Sequence, residues 1–310
     1  MKFLRNLLLI LVTIFIFEVT FTKDANAACA KTGDVLDVVS DWCETQPDEY
    51  EIVIYKLYLC TSSPTIPTTT SAVDLTSGGC EQIFDNSSGA SAAVTQGSEL
   101  NLTGTYIRPP NGTYTHGYAM MDNTFGITAS LQFAGAMTGQ TGGSGVYCGT
   151  VSGSGTSNTS GDPSNTSVCS STPVTAGKFV ETLEDFGAES FEATAEANDI
   201  NGTTADIKGI LVDTSGQLAT ADSDVDKLEG LVTFADSVTF TDSVTEVKMS
   251  FNVGVGMSLY QDSGGNLSMG SGPFQAIIET NWKKTLNKKI LNYNGLLWKV
   301  IFWNYMFYWV

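Results

Sequence analysis

Reactive chemistry in this 310-residue chain has to draw on one histidine, six cysteines and several groups of carboxylates. Because His116 is the only histidine, metal sites with two or three histidines are poorly supported, and a serine or cysteine nucleophile would depend on this one ring. His116 lies in the run Tyr114-Thr115-His116-Gly117-Tyr118, and the chain has no Gly-x-Ser-x-Gly turn to present a nucleophile. We therefore interpret His116 as an ordinary surface or core residue and predict that the chain is not an enzyme.

An aspartate-rich run suggests a calcium loop. Asp222, Asp224 and Asp226 alternate with Ser223 and Val225, so their oxygen atoms can converge on one hard cation. The EF-hand pattern fails, since Lys227 stands where the turn needs glycine and Thr233 where the bidentate glutamate belongs. A different calcium loop that uses Asp222, Asp224, Asp226 and Glu229 is one hypothesis, and a solvated acidic turn is the other. No other cofactor is indicated.

A second group of carboxylates contains enough acids for a glycosidase pair, which needs two carboxylates at a fixed separation. Any acidic protein offers such pairs, and this segment has the composition of an exposed one. We interpret the group as solvated charge, with a hydrolase as an alternative that only activity can reveal. Its members are Glu181, Glu184, Asp185, Glu189, Glu192 and Glu196.

The six cysteines predict disulfides, because their number is even and the chain begins like an exported protein. Fifteen pairings are possible, and the sequence cannot choose among them. We favour the pairing of neighbours, because two of the enclosed segments are rich in Ser, Thr, Gly and Pro and have little apolar surface to hold them in place. The predicted pairs are Cys29 with Cys43, Cys60 with Cys80, and Cys148 with Cys169.

The first 27 residues have the pattern of a signal peptide. Lys2 and Arg5 precede an apolar run, Leu7–Phe17, and Ala25-Asn26-Ala27 offers small residues for cleavage. The apolar run is shorter than the roughly 20 residues that a membrane-spanning helix needs. We therefore expect cleavage near Ala27 and a secreted, periplasmic or cell-surface protein.

Charge argues against a nucleic-acid partner. Residues 28 to 282 hold 31 acidic and seven basic residues, a balance of 24 negative charges. Nucleic-acid binding needs lysine and arginine to displace counterions from phosphates, and this part of the chain has few of them. An acidic surface is typical of a soluble protein that resists self-association.

Alternating apolar residues predict a mainly β fold, an antiparallel β-sandwich or open barrel of one or two domains. The clearest strands are predicted at 125–133, at 247–259, and at 51–59, where both faces are apolar as in an interior strand. Residues 231 to 259 have the pattern of a long hairpin. One short helix is predicted from the spacing of Val35, Leu36, Val39 and Trp42.

Composition suggests how the chain is divided. We predict an N-terminal β-rich domain at 28–150, a Ser/Gly/Asn-rich linker or loop at 151–176, and a C-terminal β-rich region at 177–279. Residues 280–310 form a basic, aromatic tail that holds four of the five tryptophans and no acidic residue. We hypothesise that a frameshift or a mispredicted end caused this change of composition, and a membrane-surface anchor is the alternative. On this view, the protein meets a membrane only if the tail is genuine.

The combination of a β scaffold, bridged polar loops and missing catalytic groups predicts a structural or adhesive protein of a cell surface or extracellular appendage. Its partner would be another copy, a different surface protein or a glycan. The alternative is a secreted or periplasmic binding module for calcium or carbohydrate. Aromatic residues and arginine are common at interfaces, and they suggest a contact surface of Tyr106, Arg108, Tyr114, His116 and Tyr118.

Overall fold

The computed structural model describes residues 28–95, 102–196 and 206–282. The predicted signal peptide and the tail beyond Trp282 lie outside these ranges, as does part of the C-terminal β-rich region. Within the described ranges the chain is almost all β, with mostly antiparallel sheets and three disulfides, as the alternating pattern predicts. Over the same ranges, no helix is long and apolar enough to cross a membrane.

Twenty strands and one short 3-10 helix, Asp222–Asp224, make up the described structure. The strands are β1 (Lys31–Thr32), β2 (Val35–Leu36), β3 (Cys43–Thr45), β4 (Glu49–Cys60), β5 (Cys80–Val94), β6 (Thr105–Tyr106), β7 (Gly112–Met121), β8 (Thr124–Thr128), β9 (Ser130–Thr138), β10 (Ser144–Thr150), β11 (Gly153–Ser157), β12 (Ser167–Ser170), β13 (Phe179–Leu183), β14 (Glu192–Glu196), β15 (Asp206–Val212), β16 (Lys227–Phe240), β17 (Val244–Asn252), β18 (Met257–Gln261), β19 (Leu267–Ser271) and β20 (Gln275–Trp282).

A ten-stranded sheet forms the larger layer, and β4 lies at its centre. One edge of β4 pairs with β5, and the other edge pairs with β7 and β8, which follow one another along it. Beyond them, β7 pairs with β16 and β8 pairs with β13, so the sheet continues in two branches. β15 and β14 extend the first branch, and β11 ends the second.

A β-bulge explains why β4 is apolar on both faces. Tyr50, Ile52 and Ile54 are buried, and after the bulge at Tyr55 the buried positions become odd-numbered, beginning with Leu57. An extra residue in one strand reverses which side chains face the core, because side chains alternate with a period of two. The prediction of an interior strand at 51–59 is confirmed, and the bulge accounts for its doubled apolar pattern.

Smaller sheets complete the sandwich around the main core. One has five strands in the order β1-β2-β9-β10-β12, a second has the order β19-β18-β3, and β17 pairs with β20. Their buried side chains meet those of the large sheet in one cluster, which includes Tyr50, Phe84, Phe133 and Phe251. The segment 151–176 supplies β11 to one sheet and β12 to another.

Two predicted strands differ from the observed ones. The strand expected at 125–133 is interrupted at Ala129, whose backbone N–H donates to the Thr150 hydroxyl at 3.0 Å instead of to a neighbouring strand. Its second part, β9, continues to Thr138, so the predicted end at Phe133 is wrong. The strand expected at 247–259 ends at Asn252 and resumes as β18 after a turn that contains Gly254 and Gly256.

Two other predictions of local structure are wrong because tertiary pairing overrides them. In place of the helix, Val35 and Leu36 form β2, which pairs with β9, and Trp42 stacks on Tyr260 of β18. Residues 231 to 259 do not form a hairpin, since β17 pairs with β20 and the main antiparallel partners of β16 are β7 and β15. Periodicity indicates an apolar face and does not identify what covers it.

The three disulfides join sequence neighbours, as predicted: Cys29 to Cys43, Cys60 to Cys80, and Cys148 to Cys169. Two of these pairs link residues directly opposite each other in antiparallel strands, β4 with β5 and β10 with β12. The Cys60–Cys80 bridge closes the loop 61–79, which packs Ile66, Val73 and Leu75 onto the outer face of the large sheet. These three residues and the sheet residues packed with them are named the outer cluster; the sheet residues are Tyr58, Cys60, Cys80, Tyr118, Met120 and Leu231.

We predict that replacing both Cys60 and Cys80 with serine lowers the free energy of unfolding by on the order of 3 kcal/mol, because the bridge closes a loop with a sequence separation of 20. Urea denaturation followed by intrinsic fluorescence measures the change. Thr69→Ser, at an exposed position in the same loop, is the control and should have no effect. Equal stability of the double variant and the native chain would contradict the prediction.

Candidate functional site

His116 is a strand residue of the large sheet. It lies on β7 opposite Thr233 of β16 and Cys60 of β4, and its Nδ1 atom is 2.8 Å from the Thr115 hydroxyl. The ring is half-buried, and burial lowers its pKa. The structure therefore gives His116 the surroundings of a sheet residue that is held by a neighbouring hydroxyl.

Only some residues of the predicted contact surface are accessible to a partner. Tyr106 is 59% exposed, but Tyr114 and Tyr118 are buried, so they cannot contact a partner. Tyr114 packs edge to face on Phe240, with a 5.8 Å distance between ring centroids. The Arg108 guanidinium donates to the Asn111 side chain and to the Thr241 carbonyl oxygen, both at 2.9 Å, so it braces two turns. Tyr106 and Arg108 remain as candidate surface residues from this group.

The four carboxylates of the calcium hypothesis do not converge on one point. Asp222 accepts hydrogen bonds from Thr159, Asp224 from the Thr220 hydroxyl, and Asp226 pairs with Lys227 at 3.3 Å. Glu229 is buried beside Tyr118. Among the described residues, no group of three or more histidine, cysteine or acidic side chains is placed to hold a metal ion. The run around Asp222 is built as a turn whose carboxylates bind protein donors.

Two of the acidic side chains that were expected to be exposed to solvent are buried. Glu181 and Asp185 are each only 3% exposed, so the interpretation of this group as solvated charge is wrong for them. Asp185 accepts hydrogen bonds from the backbone N–H groups of Gly187 and Glu189 and thereby holds a turn. Glu181 faces the interior, where it lines a cavity.

This cavity is the candidate site of the described structure, because it is enclosed between two sheets and lined by both apolar and polar side chains. It has a volume of about 400 Å³, within the range of roughly 300 to 1,000 Å³ that is typical of small-molecule sites. One wall is the large sheet, with side chains from β7, β8, β13, β14, β15 and β16. The opposite wall is the β3-β18-β19 sheet together with Phe251 and Phe274. Most of the lining surface is apolar.

A row of small residues creates the space. Ala119 on β7 lies opposite Gly230 on β16, Gly230 lies opposite Gly209 on β15, and Gly209 lies opposite Ala193 on β14. All four residues line the cavity. Neighbouring strands place directly opposed side chains about 5 Å apart, so four small residues in one row leave a trough across the sheet. The Phe186 ring over Gly209 and the Met121 methyl group over Gly230 fill part of this trough. We name these four residues the small-residue row.

A polar end of the cavity is organised around Glu181. Its carboxylate accepts hydrogen bonds from the Ser157 hydroxyl and from the Ser271 backbone N–H, the latter at 2.5 Å. Burial raises the pKa of Glu181, and these hydrogen bonds act in the opposite direction. The Glu181 charge and burial both raise the pKa of Tyr50, which borders the same space. Glu181 is therefore a fixed hydrogen-bonding group in an apolar enclosure.

An aromatic pair borders the cavity near this polar end. Trp42 and Tyr260 stack with ring centroids 5.0 Å apart and an interplanar angle of 12°. Because Trp42 is 41% exposed and also lines the cavity, it marks an opening to solvent. Burial is the main cause that raises the pKa of the Tyr260 hydroxyl, and the charges of Asp162 and Glu181 act in the same direction. Flat aromatic faces next to carboxylates can bind a flat or positively charged group.

Comparisons of the chain with protein-family models, with curated proteins and with solved structures found no match. The geometry of the site is therefore the basis for any statement about function.

Sequence reasoning missed the cavity because its residues come from twelve strands. The sequence holds one indication of the cavity. Gly209 and Gly230 interrupt apolar runs, and a glycine inside a strand often marks a place where a ligand or another part of the backbone comes close to the strand. The pairing that aligns these glycines with Ala119 and Ala193 depends on strand register, which the sequence does not show. The burial of Glu181 depends on the same pairing.

Glu229 and Tyr118 form a second buried polar pair, on the other face of the large sheet. The Tyr118 hydroxyl donates to Glu229 Oε2, whereas Oε1 has no hydrogen-bond partner among the described residues. Tyr118 belongs to the outer cluster, together with Ile66, Val73 and Leu75 of the loop 61–79. Burial raises the pKa of Glu229 to about 7, from its ordinary value of 4.5.

This shift predicts a pH-dependent stability that Glu229→Gln removes. The folded chain holds a proton that the unfolded chain releases, so the stabilisation is complete below pH 4.5 and is lost as the pH rises to about 7. The slope is at most about 1.4 kcal/mol per pH unit. Glutamine keeps an acceptor for Tyr118, so at pH 8 the variant should be more stable than the native chain by on the order of 2 kcal/mol.

Urea denaturation at pH 4, 6 and 8 measures this difference, and subtraction of the two chains removes the contribution of other titrating groups. Glu81→Gln makes the same chemical change at an exposed position and is the control. A difference between Glu229→Gln and the native chain that is the same at pH 4 and pH 8 would refute the assignment.

Proposed function

We propose that the chain is an exported, non-enzymatic binding protein whose cavity takes a small molecule with an apolar body. The observation that carries the proposal is a cavity of about 400 Å³ between the large sheet and the β3-β18-β19 sheet, with the small-residue row on one side and a mostly apolar lining. Apolar enclosures with a few fixed polar groups are typical of small-molecule sites. This proposal is the binding-module alternative of the sequence analysis, with an apolar ligand in place of calcium or carbohydrate.

The chemistry of the lining supports binding over catalysis. Ser157 and the Ser271 backbone engage Glu181, and backbone N–H groups engage Asp185, so both carboxylates serve the local structure. A sugar would leave its hydroxyl groups unpaired against the apolar wall, and unpaired buried polar groups are costly.

The cellular location is part of the proposal. Three disulfides are typical of proteins that work in an oxidising environment. Together with the signal-peptide pattern of residues 1–27, they support a secreted, periplasmic or surface location.

We expect the purified chain to bind N-phenylnaphthylamine, a neutral dye whose fluorescence rises in apolar surroundings. Ala119→Leu fills the trough from the middle of β7 and should weaken dye binding by about tenfold or more, because the side chain occupies the space of the ligand. Fluorescence titration measures the affinity, and urea denaturation checks that the variant folds.

Ala136→Leu makes the same change at an exposed position on β9 and is the matched control. Two results would refute the proposal: failure of the native chain to bind the dye, or equal affinity of Ala119→Leu and the native chain.

The structural or adhesive function is a second candidate, and one observation supports it. Tyr106 and Ile107 are 59% and 42% exposed at β6, which pairs only with β5 among the described strands. An exposed aromatic residue on an edge strand can join another copy, a surface protein or a glycan.

For this second candidate, we expect replacement of both Tyr106 and Ile107 with serine to reduce self-association or attachment to cells by several-fold, while dye binding stays unchanged. Analytical ultracentrifugation and a cell-attachment assay measure the two effects. Val38→Ser, at another exposed apolar position, serves as the control. A native chain that stays monomeric and does not attach would eliminate the adhesive function.

A further inference from the structure

The charged side chains around the cavity are mostly acidic. Glu44, Asp162, Glu181 and Asp185 line it, and Lys208 is the only basic residue in the part of the lining that the structure describes. The Lys208 ammonium group is already paired, with its Nζ atom 2.8 Å from Glu192 Oε2. An anionic ligand would therefore meet like charges and no spare cation, whereas a cation would meet a favourable field.

The polar groups gather at the end of the cavity that holds the aromatic pair. Burial is the largest cause that raises the pKa of Tyr260, and the nearby Asp162 and Glu181 carboxylates raise it further. Trp42 covers one face of Tyr260, and Asp162 is exposed, so this end is open to solvent. An ammonium group is attracted both to carboxylates and to the negative faces of aromatic rings, most strongly to tryptophan.

The remaining surface suits an apolar body. Phe274 contacts both Phe125 and Phe251, with centroid distances of 6.2 and 5.9 Å, and Tyr50 contacts Phe125 and Phe274. Phe125, Phe251 and Phe274, together with Leu228, line the cavity as an apolar wall. Burying an aromatic or alkyl group against this wall would supply most of the binding free energy.

We infer that the cavity binds an organic cation, with its ammonium group beside Trp42, Tyr260 and Asp162 and its apolar body against Phe125, Phe251 and Phe274. The inference rests on the proposed binding function and adds the charge class of the ligand. It also distinguishes this site from one for fatty acids, whose carboxylate would face Asp162 and Glu181.

Three competitors with the same phenylbutyl body test the inference: phenylbutylamine, phenylbutanol and phenylbutyrate carry a positive, a neutral and a negative head group at pH 7. Each displaces bound N-phenylnaphthylamine in a fluorescence titration of the full chain. We expect the amine to bind about tenfold more tightly than the alcohol, which corresponds to about 1.4 kcal/mol, and the carboxylate to bind most weakly.

Asp162→Asn removes the charge at an exposed position and keeps the shape of the side chain, so the fold should be unaffected. This variant should weaken binding of the amine by about fivefold and leave binding of the alcohol unchanged. Asp236→Asn removes one charge from an exposed position on β16 outside the cavity lining, and it is the matched control.

The outcomes separate the two proposals. If the dye binds but the three competitors displace it equally, or if the carboxylate is preferred, the cation inference is overturned and the binding function stands. If Asp236→Asn weakens amine binding as much as Asp162→Asn does, the preference comes from the overall charge, and the local site is overturned. If the dye does not bind the native chain at all, the proposed function fails first.

Discussion

The hydrogen bonds along β4 hold the rest of the protein in place. This strand pairs over its whole length with β5, and its other edge is shared between β7 and β8, which lead into the two branches of the large sheet. The bulge at Tyr55 reverses the alternation within β4, so both halves of the strand direct large apolar side chains into cores. If β4 slipped by one residue, Tyr50, Ile52 and Ile54 would leave the core together, because every side chain in the strand would change face.

Local chemistry made the strands and the disulfides predictable. The alternation from Phe125 to Phe133 persists through the break at Ala129, because the backbone stays extended there while its hydrogen bond passes to Thr150. Cys60 and Cys80 bracket a polar loop, and β5, which follows that loop, returns along β4, so the two cysteines lie directly opposite each other. In both cases, residues close in the sequence determine the structure.

Long-range pairing explains what the sequence could not show. The region of the expected helix is held extended by pairing of β2 with β9 and by the bridge from Cys29 to Cys43, neither of which is visible in its own periodicity. The candidate site depends even more on such pairing, since the small-residue row exists only after four strands adopt their register. The glycines of the row are visible in the sequence. That the row lines the same cavity as the stacked rings of Trp42 and Tyr260 depends on how the sheets pack together.

The two buried glutamates show how similar side chains acquire different roles on the two faces of one sheet. Glu181 receives two hydrogen bonds, from Ser157 and Ser271, and therefore has donors that favour its charged form. Glu229 receives one, from Tyr118, and its second oxygen has no hydrogen-bond partner among the described residues, so burial favours its protonated form. Burial therefore raises the pKa of both carboxyl groups, and only their donors differ. What separates the two glutamates is location, because Glu181 borders the cavity whereas Glu229 lies on the opposite face of the large sheet, next to Tyr118.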